Sequence, residues 1–308
     1  MTEPIKIGTR GSKLALWQAH YVADKLNATG IDTEIVTIET RGDKILDVSI
    51  AKIGSKGVFT EEIEDQLKEG NIDIAVHSAK DMQSELPEGF ELIAFTEREK
   101  VNDVLVSENR SLSLNDQELI VGTSSTRRVA VLKHLYPHVK TVAVRGNLQT
   151  RIAKMKEGAC DALMLAYAGM YRMGYGDLIV AELPLTDFIP AVGQGSVAIE
   201  CALELAEPKK AAITHALNHS ITASRLNCER AFLRELQGGC SIPVFGLAHV
   251  MEDQIKIEGG IINLEGTEVI RKTRSGNIKD AKHIGSDLAK EVLKAGGDRI
   301  LADIKSKL

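Results

Sequence analysis

A strand that ends in Gly-Thr, gives way to small polar residues and then opens a helix occurs twice in this chain. Ile7-Gly8-Thr9-Arg10-Gly11-Ser12 leads into a helix with Leu14, Trp17, Tyr21, Val22 and Leu26 at its apolar positions. Ile120-Val121-Gly122-Thr123-Ser124-Ser125 leads into one with Val129, Leu132 and Leu135. Ser12 suits the N-cap of the first helix, and a strand over 33–39 completes a βαβ unit of a parallel sheet. Two α/β domains of one build follow, each offering a helix N-terminus at a Gly-Thr turn. Such termini gather anions. At 308 residues the chain has room for two or three domains.

Between the two units, Ile74-Ala75-Val76 reads as a buried strand, followed at once by His77-Ser78-Ala79-Lys80-Asp81-Met82. Ligands of open α/β sheets sit at the carboxyl ends of strands, so Lys80 and Asp81 fall where chemistry is expected. Arg145 follows a strand over 141–144, Arg151 lies one turn into the next helix, and Arg172 follows a strand over 161–165. With Arg10, Arg127 and Arg128 they make six arginines at similar places. Arginine suits bidentate capture of carboxylate or phosphate, and six together point to a polyanionic ligand. Neither a GxxxxGK[ST] run nor a strand-placed GxGxxG occurs, so a nucleotide is not the obvious anion.

Residues 41–57 read as a long loop with three glycines and the basic Arg41, Lys44, Lys52 and Lys56, a candidate lid. Its Arg41-Gly42-Asp43 tripeptide is discounted as an adhesion signal. Phe59, Ile63 and Leu67 share a helix face that ends at Gly70. Crossings near 96–102 and 190–196 form a two-strand hinge. The expected domains are therefore 1–97 with 196–216, then 101–191, then 218–308. The last reads as a small α+β domain: a helix over 220–236, a Gly238-Gly239-Cys240 loop, strands over 244–250, 254–262 and 268–274, and helices from Lys279 and Asp298.

The net charge of −5 argues against a general nucleic-acid binder. No apolar run is long enough for a transmembrane helix, and the start lacks the pattern of a signal peptide. A reducing cytoplasm, no membrane and a monomer are expected. Cys160, Cys201 and Cys228 read as buried small hydrophobes. Cys240 stands out, held on a tight loop between Gly239 and Ser241-Ile242-Pro243. The eight histidines show no metal-ligand spacing, so no metal is expected.

Val76-His77-Ser78-Ala79-Lys80-Asp81, Gly122-Thr123-Ser124-Ser125-Thr126-Arg127-Arg128, Arg145-Gly146-Asn147, Pro190-Ala191-Val192-Gly193-Gln194-Gly195 and Gly238-Gly239-Cys240, with the run from Ile7 to Ala19, resemble the porphobilinogen deaminase (hydroxymethylbilane synthase) family in order and spacing. The resemblance departs at Met82-Gln83 and Ser196, beside the motifs rather than on their charged residues. It implies two periplasmic-binding-protein-like α/β domains with a hinge, plus the small C-terminal domain. It implies a transferase that joins four porphobilinogen molecules, with loss of ammonia, into hydroxymethylbilane. It further implies a dipyrromethane cofactor, bound by a thioether to Cys240. Asp81 would be catalytic, assisting proton transfer and stabilising azafulvene cations. Lys80, Ser125, Arg127, Arg128, Arg145 and Asp43 would hold the cofactor. Arg10, Ser12, Gln18, Lys52, Lys56, Phe59, Arg145, Arg151 and Arg172 would hold the substrate. Two rivals share the arginines: a periplasmic-type anion-binding protein, and a polyanion-binding regulatory module in which Asp81 and Cys240 are incidental.

Overall fold

The computed structural model describes residues 3–44, 60–239 and 241–307. The first lobe holds a five-stranded sheet of order β2-β1-β3-β10-β4. Its strands are β1 (Ile5–Arg10), β2 (Thr33–Ile38), β3 (Ile74–Ser78), β4 (Phe90–Phe95) and β10 (Val197–Ala202). The second sheet runs β7-β6-β8-β5-β9. It comprises β5 (Asp103–Val106), β6 (Ile120–Gly122), β7 (Lys140–Val142), β8 (Ala162–Ala166) and β9 (Ile179–Glu182). The two orders superpose strand for strand, β1 on β6, β3 on β8 and β10 on β5. The repeat seen at the two Gly-Thr turns therefore extends to whole lobes.

The sheets are mixed rather than parallel, which corrects the sequence expectation. β10 runs antiparallel to β3 and β4, and β5 antiparallel to β8 and β9. Each is the strand by which the chain enters a sheet from the other lobe, so it arrives from the opposite end. β9, the helix α7 (Glu207–Leu217) and the one-turn α2 (Arg41–Lys44) also lay outside the sequence reading.

Helices cover both faces of the first sheet. On one face, α1 (Lys13–Asn27) and α7 enclose Ile5, Ile7, Val22, Leu26, Ile74 and Leu217. On the other, α3 (Glu61–Lys68) buries Ile63 and Leu67 against Ala75. Buried on both sides, β3 and β10 read as continuous apolar runs. Leu14, Trp17 and Tyr21 of α1 are only half-buried: Leu14 and Trp17 meet Gly169 and Arg172 of the second lobe, and Trp17 stacks on Tyr21, which packs on the first-lobe core. In the second lobe, α4 (Thr126–Leu135), α5 (Leu148–Lys156) and α6 (Tyr167–Arg172) pack on the sheet. The buried face of α4 runs through Ala130, Val131 and Leu132, whereas Leu135 is exposed.

The third lobe is an antiparallel sheet of β11 (Val244–Met251), β12 (Gln254–Ile262) and β13 (Val269–Asn277). It is backed by α8 (Ser220–Glu235), α9 (Ala281–Val292) and α10 (Asp298–Ser306). Phe232, Ile257, Ile284 and Leu288 centre its core, which reaches Val192 of the second crossing. Phe245, Leu247 and Ile262 join the core of the second lobe. At the roughly 25 cal/mol per Å² of apolar burial, these contacts bind the third lobe firmly to its neighbour.

Candidate active site

The carboxyl ends of strands in both lobes line one cavity of about 2130 Å³, closed on a third side by Gly238, Gly239, Ser241 and Ile242. Three capped helix N-termini border it. The Ser12 hydroxyl accepts from Ala15 N at 3.3 Å, Ser125 from Arg128 N at 3.4 Å, and the Asn147 amide oxygen from Thr150 N at 2.9 Å. Each terminus contributes positive potential. Arg10, Ser12, Gln18, Lys80, Asp81, Ser125, Arg127, Arg128, Arg145, Arg151 and Arg172 all line this cavity, so every expected site residue whose side chain is described is brought together. Asp43 lies in α2, its side chain outside the described residues, and Lys52, Lys56, Phe59 and Cys240 lie outside them altogether. The candidate lid over 41–57 falls mostly outside them too.

Asp81 ends a one-turn 3-10 helix, Ala79–Asp81, that follows β3 directly. The second crossing fixes that turn. Ala79 N donates to Ser196 O at 2.9 Å, and Gly193 lies so close that a Cβ there would sit 2.9 Å from the Ala79 carbonyl carbon and 3.0 Å from Lys80 N. Gly193 also has φ +77°, a conformation open to glycine at little cost. Asp81 itself is exposed to the cavity. Its neighbour Lys80 has its pKa pushed down to about 8 by burial; the Asp81 charge opposes this and Arg128 reinforces it.

Arg127 and Arg128 are less available than their sequence position suggests. Arg127 Nη2 lies 2.8 Å from Asp103 Oδ2, and its Nη1 donates to Ile189 O at 3.0 Å. Arg128 donates through Nε and Nη2 to Asp103 Oδ1 at 3.1 and 2.7 Å, and through Nη1 to Met164 O. Gln194 Nε2 donates to the same Asp103 oxygen at 3.0 Å and to Val101 O at 2.7 Å. Burial raises the Asp103 pKa, but the two guanidiniums outweigh it and hold the carboxyl below the usual carboxylate range. One buried acid at the head of β5 thus orients both arginines and ties the two crossings together.

Arg151 Nε donates to Gly146 O at 2.8 Å. Burial lowers its pKa, reinforced by the charge of Arg128 and opposed by that of Asp81. Arg172 donates from Nη2 to Gly195 O at 2.7 Å and lies over the Trp17 ring at 5.3 Å, so it bridges α6, the second crossing and α1. Gln18 donates to the Ser78 hydroxyl at 2.9 Å.

Sequence reasoning missed Asp103 and Gln194. The signal was faint: an aspartate opening the apolar run Asp103-Val104-Leu105-Val106. It also missed that Glu39, Glu61, Glu64, Asp65 and Glu85 line the first-lobe wall, so the cavity is basic on one side and acidic on the other. Among the described residues no group of three or more His, Cys, Asp or Glu is placed to hold a metal. No helix among them is long and apolar enough to cross a membrane.

The class is thus a two-lobed α/β fold closing on a cleft with an arginine-rich wall, with a third lobe at its side. Residues 5–210 match the family model described as porphobilinogen deaminase, dipyromethane cofactor binding domain, and residues 223–294 match the porphobilinogen deaminase C-terminal domain. The chain is 54% identical over 305 residues to the porphobilinogen deaminase of Desulfosudis oleivorans, covering 98% of each. It is 56% identical over 309 residues to that of Cytophaga hutchinsonii, covering 100% of this chain and 99% of that one. Among solved structures, the second substrate binding domain of a putative amino acid ABC transporter from Streptococcus pneumoniae aligns with a TM-score of 0.43 at 15% identity, over 70% of this chain and 91% of that one. The chain belongs to the porphobilinogen deaminase family.

The residues present fit a dipyrromethane. Its acetate and propionate groups require several fixed cations, and the cleft supplies Arg10, Arg145, Arg151 and Lys80 beside three helix N-termini. Arg127 Nε is buried without a hydrogen-bond partner among the described residues. Gly239 and Ser241, which flank Cys240, line the same space.

Proposed function

We propose that the chain joins four porphobilinogen molecules head to tail, releasing one ammonia per molecule, and delivers hydroxymethylbilane from a dipyrromethane held through a thioether to Cys240. The observation that carries this reading is Asp81, a carboxylate whose charge acts on Lys80 and Arg151 in the cleft that Arg10, Arg128 and Arg145 also line. A protein that only bound anions would need the arginines, but a carboxylate among them would weaken its grip.

The dipyrromethane, when bound, supplies the primer and its terminal pyrrole carbon as nucleophile. Arg10, Arg145, Arg151 and Lys80 hold side-chain carboxylates of the pyrrole units, while Asp103 keeps Arg127 and Arg128 aimed without further reorganisation. Asp81 faces the aminomethyl carbon of porphobilinogen and stabilises the azafulvene cation that remains when ammonia leaves with the C–N electron pair. It then accepts the proton lost from the ring carbon that has formed the new bond. Ser12, Gln18, Lys52, Lys56, Phe59, Arg172 and Asp43 complete the enclosure. The working protein is a cytoplasmic monomer. Its lobes, 1–97 with 196–216 and 101–191, turn about 96–102 and 190–196, while 218–308 carries the cofactor loop.

Incubation of the purified protein with porphobilinogen tests this directly. One ammonia per porphobilinogen consumed, with a linear tetrapyrrole as product, is expected. Binding without ammonia release would leave only the anion-binding reading.

A further inference from the structure

Behind Asp81, on the other face of β3 from Ser78, His77 is buried with its Nε2 2.9 Å from Glu200 Oε2 of β10. Glu200 is wholly buried, and its Oε1 has no hydrogen-bond partner among the described residues. The pair is not sealed from the site. A side pocket of about 80 Å³ is lined by Arg10, Ser12, Gln18, His77, Ser78 and Asp81. A volume of this size with several polar walls has room for ordered water. Glu64 of α3, buried yet lining the main cavity, feels the charges of both Glu200 and His77, and burial raises its pKa. Gln83 Nε2 lies 3.4 Å from Glu64 Oε1. Arg230 of α8 completes the surroundings: it donates to Gln83 O at 2.8 Å, and its charge acts on Glu200.

Resting on the condensation proposed above, each addition breaks one ring C–H bond. The electron pair restores the pyrrole ring and the proton goes to Asp81. Asp81 must lose that proton before the next addition. The second-lobe side of the cleft is a poor exit, because Arg128, Arg145 and Arg151 oppose a proton there and the growing chain occupies it, which leaves the acidic first-lobe side. We propose that His77 and Glu200 form the proton outlet of Asp81. The proton passes through water in the side pocket to the His77 ring, giving an imidazolium held by Glu200, and leaves past Glu64 along the acidic first-lobe wall. Arg10 on the pocket wall keeps the proton from lodging in the water itself. His77 and Glu200 are positioning and relay residues; neither touches the substrate.

Histidine-selective 15N labelling of the holoenzyme tests the coupling, with the His77 signal assigned from His77→Asn. The His77 titration should move when Asp81 is replaced by Asn, while those of His134 and His283 stay put. A His77 titration identical in the two proteins would overturn the proposal. In parallel, Glu200→Gln should lower kcat about tenfold or more with KM for porphobilinogen within about twofold and a displaced pH–rate profile, and imidazole should restore part of the rate lost in His77→Ala. A folded Glu200→Gln enzyme with unaltered kcat across pH would also overturn it. Failure of the condensation reading is separately visible, as absence of ammonia from the unsubstituted protein.

Discussion

Arg98 and Glu229, 131 positions apart, form a bidentate pair with both side chains almost wholly out of solvent: Nη1–Oε1 is 2.6 Å and Nη2–Oε2 is 3.0 Å. Arg98 lies in the first crossing and Glu229 in α8 of the third lobe. The same carboxylate accepts from Gly193 N at 3.0 Å and from Ala248 N at 2.9 Å, while Arg98 Nε donates to Gln194 O at 2.8 Å. Both crossings and the third lobe thus meet at one acid. Removing one partner strands a buried charge, so Glu229→Ala should cost about 3–5 kcal/mol. Urea denaturation of the two proteins checks this, and a loss below about 1 kcal/mol would refute it.

Asp103 makes stability pH-dependent with a definite sign. Its folded-state pKa lies below the unfolded value of about 3.9, because Arg127 and Arg128 outweigh burial. The unfolded chain therefore takes up the proton first on acidification. The stabilisation is fully present above the unfolded pKa and is lost as pH falls toward the folded one. Asp103→Asn should be the weaker protein at pH 7, by about 3–5 kcal/mol, and the gap should narrow below about pH 4. Denaturation curves at pH 7 and pH 3 measure both.

Lys80 titrates within reach of working conditions, since burial brings its pKa down to about 8. A bound carboxylate favours its charged form, so anion binding above that pH must take up a proton. Apparent affinity for porphobilinogen should fall as pH rises through about 8, and Lys80→Arg should remove most of that dependence. KM measured from pH 7 to 9 for both proteins decides it.

Asp81→Asn keeps size and polarity but loses the charge and the proton acceptor. Turnover should fall by about 10²–10⁴, with KM changed far less, as the transition-state role proposed for the carboxylate requires. Ammonia release against substrate concentration gives both constants. Equal losses in the two would assign Asp81 to binding.

Gly193 supports the Asp81 turn from outside. An alanine there would meet the Ala79 carbonyl carbon at 2.9 Å and must adopt a positive φ, so backbone rather than a flexible side chain has to yield. Gly193→Ala should therefore lower kcat while Gly158→Ala, where φ is also positive but nothing lies within 4 Å, leaves it intact. Steady-state rates of the pair separate local strain from displacement of the site.

Much of this was legible from the chain. The paired Gly-Thr turns predicted two lobes of one build because strand, cap and helix signals are local. The arginines and Asp81 were legible because they sit at strand ends, where the fold dictates a cleft. Strand direction was not. An apolar run such as Val197-Ala198-Ile199 packs equally well either way, and only the crossing chain makes β10 and β5 antiparallel. Nor were the buried acids. Asp103 meets arginines some 25 positions on, Glu200 meets a histidine 123 positions back, and no local pattern marks a carboxylate whose partner comes from a distant element of the chain.

The central claim is that Cys240 carries a two-pyrrole primer in this cleft. The intact mass of freshly purified protein beside Cys240→Ala measures it most directly, repeated after incubation of each with porphobilinogen. The account predicts a surplus equal to two linked pyrrole units on the unsubstituted chain and none on the variant. An unsubstituted chain that is folded and still carries no surplus after exposure to porphobilinogen would contradict it, as would a surplus that survives in Cys240→Ala.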